Sequence, residues 1–233
     1  MAAAFLLFGV ATSVVAGTET KDSLWPFGII PGRVIGEESF SRPESIASWR
    51  LGKGGWTVLE GALVGVEKPE DHHGAGLAYQ LKYHDAVINF RFRFTGGKAA
   101  VLLLRGKFGN ICRVNLLPGS VSLQRDRPNF PVDTLEKTVI LTKTTATFEP
   151  GRWYDVSVVI SGRDFAAKVG DGAWLIGAHP ALDVDKTEVE FMASGEAIQY
   201  DDLLVREVRR NASNLSTATA PNYPLDHSRP LPK

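Results

Sequence analysis

The chain has 233 residues, 26 basic against 26 acidic side chains, 44% hydrophobic residues and one cysteine. That length suits one large domain, and the apolar content is that of a globular protein rather than a disordered one. The lone Cys112 excludes a disulfide scaffold, and zero net charge argues against a generic nucleic-acid binder.

Residues 1–16 carry no charge, Ala2 to Val10 form an apolar run, and Val14 and Ala16 give a small-residue cleavage pattern before Gly17. Thr18, Glu19, Lys21 and Asp22 follow at once. The pattern predicts an export signal, leaving a secreted or periplasmic protein. No later segment approaches the ~18 consecutive apolar residues of a membrane span. Residues 17–39 read as a lead-in, 40–209 as the folded domain, and 210–233, rich in Ser, Thr, Asn and Pro, as a disordered tail.

Within the domain, alternation with period two dominates. Ile88, Phe90, Phe92 and Phe94 take one face of a strand, and Asn89, Arg91 and Arg93 the other. Cys112, Val114 and Leu116 oppose Arg113 and Asn115 in the same way, which places Cys112 in the core, reduced. Tyr154, Val156, Val158 and Ile160 share a third face, and further strands are predicted at 56–59, 62–66, 99–104, 120–124, 139–142, 165–169, 188–193 and 198–208. Gly54-Gly55, Gly96-Gly97, Gly106, Pro118-Gly119, Pro150-Gly151, Gly162 and Asp171-Gly172 separate them. Many short strands punctuated by Gly and Pro predict an all-β antiparallel jelly-roll β-sandwich. In the last strand Ile198 and Tyr200 face one way, but the apolar parity then moves to Leu203 and Val205. That one-residue shift predicts a β-bulge at Asp201-Asp202.

Three stretches resemble a known family: Trp56-Thr-Val-Leu-Glu-Gly-Ala-Leu63, Pro150-Gly-Arg-Trp-Tyr-Asp-Val-Ser-Val158 with Gly162 and Val169-Gly-Asp-Gly172, and Tyr200-Asp-Asp-Leu-Leu-Val205. Together they resemble the 3-keto-disaccharide hydrolase domain family, formerly a domain of unknown function. The resemblance implies a concanavalin A-like jelly roll, shared with laminin-G-like modules and family 16 glycoside hydrolases. It implies a hydrolase acting on glycosides of the 3-keto-disaccharide type. A non-catalytic glycan-binding or adhesion module of laminin-G type is the alternative, and a ligand-free envelope protein a third reading. The family's Asn-Ser-Gly-Ile stretch is replaced by Lys98-Ala-Ala-Val-Leu-Leu-Leu-Arg105, where only the Arg persists. The paired carboxylates of family 16 find their nearest counterpart in Glu188-Val-Glu190, with no third acid in place. Such modules also hold structural Ca2+ where the last strand meets the N-terminal segment. This implies Asp201 and Asp202 as metal ligands, helped by Glu37 or Glu38. No other cofactor is expected.

The neutral charge is a cancellation. From Lys82 to Arg127 there are nine Lys or Arg against two acids, and from Pro128 to Asp202 six against thirteen. If the strands bearing Asn89, Arg91, Arg93, Arg113 and Asn115 pair, these side chains form one electropositive patch with Arg105 nearby. Arg offers a planar fork for carboxylate, sulfate or vicinal hydroxyls, so the expected ligand is a carbohydrate, an acidic one included. For acid–base chemistry the candidates are His72 and His73, in a loop after Glu70-Asp71, and the carboxylates Asp85, Asp126, Asp133, Glu60 and Glu190. His84-Asp85 is a second His–acid pair, and His179-Pro180 resembles a structural turn of the family. Tyr79 and Tyr83 are the first candidates for stacking on a sugar ring. No Gly-x-Ser-x-Gly elbow, phosphate loop, His-Glu-x-x-His or Cys cluster is present. N-terminal sequencing of protein recovered from the periplasm or medium should begin near Gly17; a chain still starting at Met1 there would refute the export signal.

Overall fold

The computed structural model describes residues 25–129 and 136–210. The export segment, the tail and Asp133 lie outside the described residues. The strands are β1 (Ile29–Glu38), β2 (Arg50–Leu51), β3 (Gly55–Leu59), β4 (Ala62–Val66), β5 (Ala75–Tyr83), β6 (Ala86–Phe94), β7 (Gly97–Gly106), β8 (Gly109–Leu117), β9 (Ser120–Arg125), β10 (Val139–Thr145), β11 (Tyr154–Ser161), β12 (Asp164–Val169), β13 (Leu175–Ala178), β14 (Lys186–Gly195) and β15 (Ile198–Arg210). Four short 3-10 turns join them, each opened by a proline, at Pro26, Pro43, Pro69 and Pro180. Proline supplies the helical φ and lacks an N–H that the first turn would leave unbonded. Among the described residues no helix is long and apolar enough to cross a membrane.

The strands form two antiparallel sheets, as a jelly-roll sandwich requires. Sheet A has the order β13-β12-β11-β6-β15-β4-β3, with β1 also paired to β15. Sheet B has the order β10-β9-β8-β7-β14-β5-β2. Inward residues of both sheets make one core, among them Ile88, Phe90, Phe92, Leu102, Leu104, Cys112, Val114, Val158 and Phe191. Cys112 is buried and unpaired, and burial pushes its thiol pKa up, so it is an inert small hydrophobe.

Tyr200 crosses between the layers. It rises from β15 of sheet A, fully buried, and its ring stacks on Phe191 of sheet B at 4.3 Å. Its hydroxyl donates to the Met192 carbonyl at 2.5 Å and accepts from the Val101 amide at 3.0 Å. Met192 and Val101 are partners across β14 and β7, so one side chain of sheet A is bonded into the centre of sheet B.

Immediately after Tyr200 comes the bulge that the parity shift predicts. Asp201 pairs with Arg91 but Leu204 pairs with Asn89, so β15 holds one residue too many. Asp202 takes up the excess in the left-handed region at φ 51°, where Asp is among the more tolerant residues. Beyond it Leu203 and Val205 return to the core.

Four strands differ from the sequence reading. β1 lies N-terminal of Phe40 yet pairs with β15, so the sandwich starts at Ile29. Its Pro31, Gly32 and Gly36 and two register shifts erase any period. Ala75 to Ala78 of β5 are all buried, so no alternation shows there. β2 and β13 are short edge strands of two and four residues. A small second core sits on the outer face of sheet A. Val87 and Val159 point away from Ile88 and Val158 and are covered by Ile29, Trp25, Phe27 and Trp174.

Lys186 is fully buried at the start of β14. Its ammonium donates to the carbonyls of Leu182 (2.8 Å) and His84 (2.7 Å), tying the loop before β14 to the β5–β6 turn. Burial lowers its pKa, and nearby acidic groups oppose that only in part.

Replacing Tyr200 by Phe keeps the ring and strands the Val101 amide and Met192 carbonyl in the core. The expected loss is about 1–3 kcal/mol of unfolding free energy. Urea denaturation reads it directly; a loss below about 0.5 kcal/mol would show that the cross-sheet hydroxyl is dispensable.

Candidate functional site

The arginines do not form one patch. Asn89, Arg91 and Arg93 lie on β6, whose neighbours are β11 and β15 in sheet A. Arg105 lies on β7, and Arg113 and Asn115 on β8, in sheet B. All three strands turn apolar residues inward, so the polar residues of β6 and those of β7 and β8 point outward from opposite sides of the sandwich. Period two assigns a side chain to a face of its own strand and says nothing about which sheet the strand joins.

On sheet A the polar residues are consumed by one another. Arg91 reaches Asp201 at 2.6 Å and Asp202 at 3.0 Å. Arg93 donates to Gln199 at 2.7 Å, and both guanidiniums lie about 5 Å from the Trp153 ring centroid, at 5.0 and 4.7 Å. Asn89 donates to Ser157 at 2.9 Å.

Asp201 and Asp202 do not fit the implied Ca2+. Arg91 already supplies the positive charge to both carboxylates, and Asp201 Oδ1 accepts the Asp202 amide at 2.8 Å. Glu37 and Glu38 do come beside Asp202, through the pairing of β1 with β15, but Glu38 accepts the Phe40 amide at 2.8 Å. Among the described residues no group of three or more His, Cys, Asp or Glu is placed to hold a metal ion.

Sheet B carries a chain of ion pairs across its outer face. Arg50 of β2 meets Glu188 of β14 at 2.6 Å, and Arg105 of β7 meets Glu190 at 2.8 Å. Each arginine also approaches the other carboxylate, at 3.7 and 3.4 Å. Glu190 is buried, and the absence of a side chain at Gly76 makes its room: a Cβ there would stand 2.5 Å from Glu190 Oε1. Further along, Arg113 grips Asp126 at 2.7 Å and Gln124 donates to it at 2.5 Å. Asn115 donates to Ser122 at 3.2 Å. The hydrogen bond from Arg50 pulls the Glu188 carboxyl below its ordinary pKa, outweighing burial, which pushes it up.

At the end of this face three cavities run into one another. The first, of about 410 Å³, is lined by Gln80, Leu81, Lys82, Thr187 and Glu188. The second, about 500 Å³, shares Lys82 and Thr187 with it and adds Lys107, Asp185, His84 and the buried Lys186. The third, about 380 Å³, shares Lys107 and Asp185 and opens onto Phe108, Asn110, Arg125 and Asp126. The three cavities thus lie side by side, and together they are called the groove. Gly106 and Gly109 pair to close a two-residue turn that holds Lys107 and Phe108 at the lip. The Phe108 ring is 61% exposed and is the one exposed aromatic side chain among the described residues. Asn110 in the same cavity keeps a buried side-chain oxygen with no hydrogen-bond partner. Arg125 is buried, donates to the Lys137 carbonyl at 3.0 Å and pairs with Glu136.

The remaining sequence candidates are placed as follows. His72 and His73 are exposed at a turn away from this groove, where Asp71 accepts the Gly54 amide at 2.6 Å. His84 bridges Asp85 at 3.0 Å and Asp183 at 3.4 Å at the rim of the middle cavity. Burial raises the Asp85 carboxyl, but the Gly162 amide, His84 and Lys186 together hold it below its usual value, as a turn acceptor. Asp85 thus braces the β11–β12 turn. His179 accepts the Ala181 amide at 3.1 Å, the structural role its turn suggests. Glu60 sits in the β3–β4 turn at φ 51°. Tyr83 is buried and Tyr79 packs on Trp49 at 5.0 Å, so neither offers a free ring. Alternation does not reach Phe108, because it lies in a turn. Its signal is an aromatic between two glycines, with nothing local to bury against.

The chain matches no protein-family model and no curated protein sequence. Among solved structures it is similar to the carbohydrate-binding module CBM66 from Bacillus subtilis, at 9% identity and TM-score 0.57 over 68% of this chain and 95% of that one. It is similar to a protein of unknown function with a galectin-like fold from Bacillus subtilis, at 11% identity and TM-score 0.58 over 78% and 100%. It is also similar to SCLam, a non-specific endo-β-1,3(4)-glucanase from family GH16, at 13% identity and TM-score 0.55 over 79% and 93%. These likenesses establish the jelly-roll fold.

The Arg50–Glu188 pair has a pH signature. A carboxylate held below its unfolded value contributes stability above that value, near 4.5 for Glu, and loses it as pH falls through the folded pKa. Arg50→Gln should therefore be less stable than wild type at neutral pH, with the gap closing in more acid solution. Denaturation midpoints at a series of pH values measure this; a constant gap would mean that Arg50 acts through packing alone.

Proposed function

We propose that the chain is a carbohydrate-binding domain whose ligand lies in the groove at the end of sheet B. The observation that carries this reading is Phe108, an exposed ring at the lip of a cavity lined by Asn110, Arg125 and Asp126. A pyranose ring offers one face of C–H groups and a rim of hydroxyls. The first wants an aromatic plane and the second wants donors and acceptors in fixed positions. Three joined cavities suit an oligosaccharide chain better than a single terminal sugar. The names of the similar structures, a carbohydrate-binding module and a glucanase, point the same way.

Binding is favoured over hydrolysis by the state of the acids. Hydrolysis needs one carboxyl that carries a proton and one carboxylate free to attack or to activate water. On this face Glu188, Glu190 and Asp126 each face a guanidinium. Hydrolysis of 3-keto-disaccharide-type glycosides is the second reading, because Glu188 and Glu190 stand two residues apart on one face of β14.

Phe108→Ala should leave the melting temperature unchanged, since the ring is mostly in water, and weaken glycan binding about tenfold, a loss of about 1.4 kcal/mol. An array of neutral and acidic oligosaccharides, with calorimetry on the hits, is the measurement. Equal binding by the variant, or no binding by wild type, overturns the proposal. Release of reducing ends from a bound glycan, abolished in Glu190→Gln, would replace it with the hydrolase reading.

A further inference from the structure

We infer that the glycan taken by this groove carries an anionic group, a carboxylate or sulfate, and that Lys82 and Lys107 receive it. The inference rests on the carbohydrate reading above and specifies the ligand class. The arginines that a sequence reading would assign to an acidic ligand are not available. Arg50, Arg105 and Arg113 are spent on Glu188, Glu190 and Asp126, and Arg91 on Asp201 and Asp202. Lys82 and Lys107 are different: both are exposed, and neither makes an ion pair with a described residue. Lys107 has only the Phe108 ring, 5.5 Å from its ammonium.

Their positions are complementary. Lys82 lies on β5 with its neighbours Leu81 and Tyr83 packed on the core, so it points out of sheet B. Lys107 lies in the β7–β8 turn. β5 and β7 flank β14 on either side, which sets the two backbones about 10 Å apart, twice the strand spacing. The middle cavity, about 500 Å³, spans that gap and is lined by both. Its floor is Lys186, whose ammonium is turned to the Leu182 and His84 carbonyls. Asp185 is the single acid in the lining, against three lysines, and His84 there is occupied by Asp85 and Asp183. Two exposed ammonium groups that line one cavity and make no ion pair with a described residue leave a positive potential that a neutral ligand would not neutralise. The same lysine side chains keep their freedom, so they can follow a carboxylate or a sulfate alike. One lysine adjoins the Phe108 cavity and the other the Glu188 cavity. The anionic residue therefore sits in the middle of the bound chain, with the Phe108 contact one unit to the side.

The test compares a tetragalacturonate with its carboxyl-reduced counterpart and with a sulfated galactan tetramer, by calorimetry at about 50 mM and about 500 mM salt. Wild type is expected to prefer either anionic ligand over the neutral one about tenfold at low salt, with the preference falling at high salt. The double variant Lys82→Gln/Lys107→Gln, its melting temperature checked against wild type, should lose that preference. A larger gain for the sulfated tetramer, or for the uronate, assigns the anion. Equal binding of neutral and anionic ligands by wild type, or an unchanged preference in the double variant, overturns the inference and leaves the carbohydrate reading standing. Failure of wild type to bind any of the three and any glycan of the array removes both.

Discussion

The two sheets of this sandwich meet on one hydrogen-bonded side chain. Apolar packing between sheets is non-directional and would tolerate sliding of one layer over the other. Tyr200 removes that freedom, because its hydroxyl is bonded to Met192 and Val101 at the centre of sheet B while its backbone belongs to sheet A. The Phe191 and Phe90 rings pack around it, at 4.3 and 6.2 Å. The bulge at Asp202 follows directly. It lets Tyr200 and Leu203 both face inward, turns Asp201 out to Arg91, and carries the strand on to pair with β1.

Fixing the layers fixes where charge can go. Each sheet has a dry inner face, so the charged side chains on its strands stand on one of two outer surfaces, apart from Lys186 and Arg125, which are buried at strand ends and donate to carbonyl oxygens. A guanidinium lying across a sheet is partly desolvated by its neighbours and is best matched by a carboxylate on an adjacent strand. Arg50 with Glu188, Arg91 with Asp201 and Arg105 with Glu190 follow this rule with acids brought from far along the chain, while Arg93 is matched by Gln199 instead. The local excess of basic residues in the middle of the sequence is thereby cancelled by the acidic stretch after it, strand against strand. Lys82 and Lys107, beside the groove, make no such pair with a described residue.

The groove depends on features that a sheet alone does not supply. The β7–β8 turn projects Lys107 and Phe108 past the strand ends, and the loop before β14 forms the opposite wall through Val184 and Asp185. That wall is held by Lys186, a lysine whose desolvation is offset by its bonds to the Leu182 and His84 carbonyls. Gly76 works in the same sense on the flat of the sheet, leaving the space into which Glu190 folds to reach Arg105.

Period-two alternation was enough to read the sandwich, the inward side of β6, β8 and β11, the burial of Cys112 and the bulge at Asp201-Asp202, because each of these is a property of one strand and its two faces. Strands without alternation escaped: β1, broken by Pro31 and two glycines, and β5, buried on both faces at its start. The candidate site was legible only in fragments. Asp126, Arg105 and Arg113 were visible as polar residues on sheet faces, but their partners were not, since Arg105 meets Glu190 from 85 residues away. Whether two strands share a sheet depends on long-range pairing, and that pairing sent Arg91 and Arg113 to opposite sides of the molecule. The residues that line the groove come from turns and strand ends, where no period exists to read. Sequence alone determined which side chains had to be inside; the tertiary structure decided which of the outside ones stand together, because that is set by the order of strands and not by their composition.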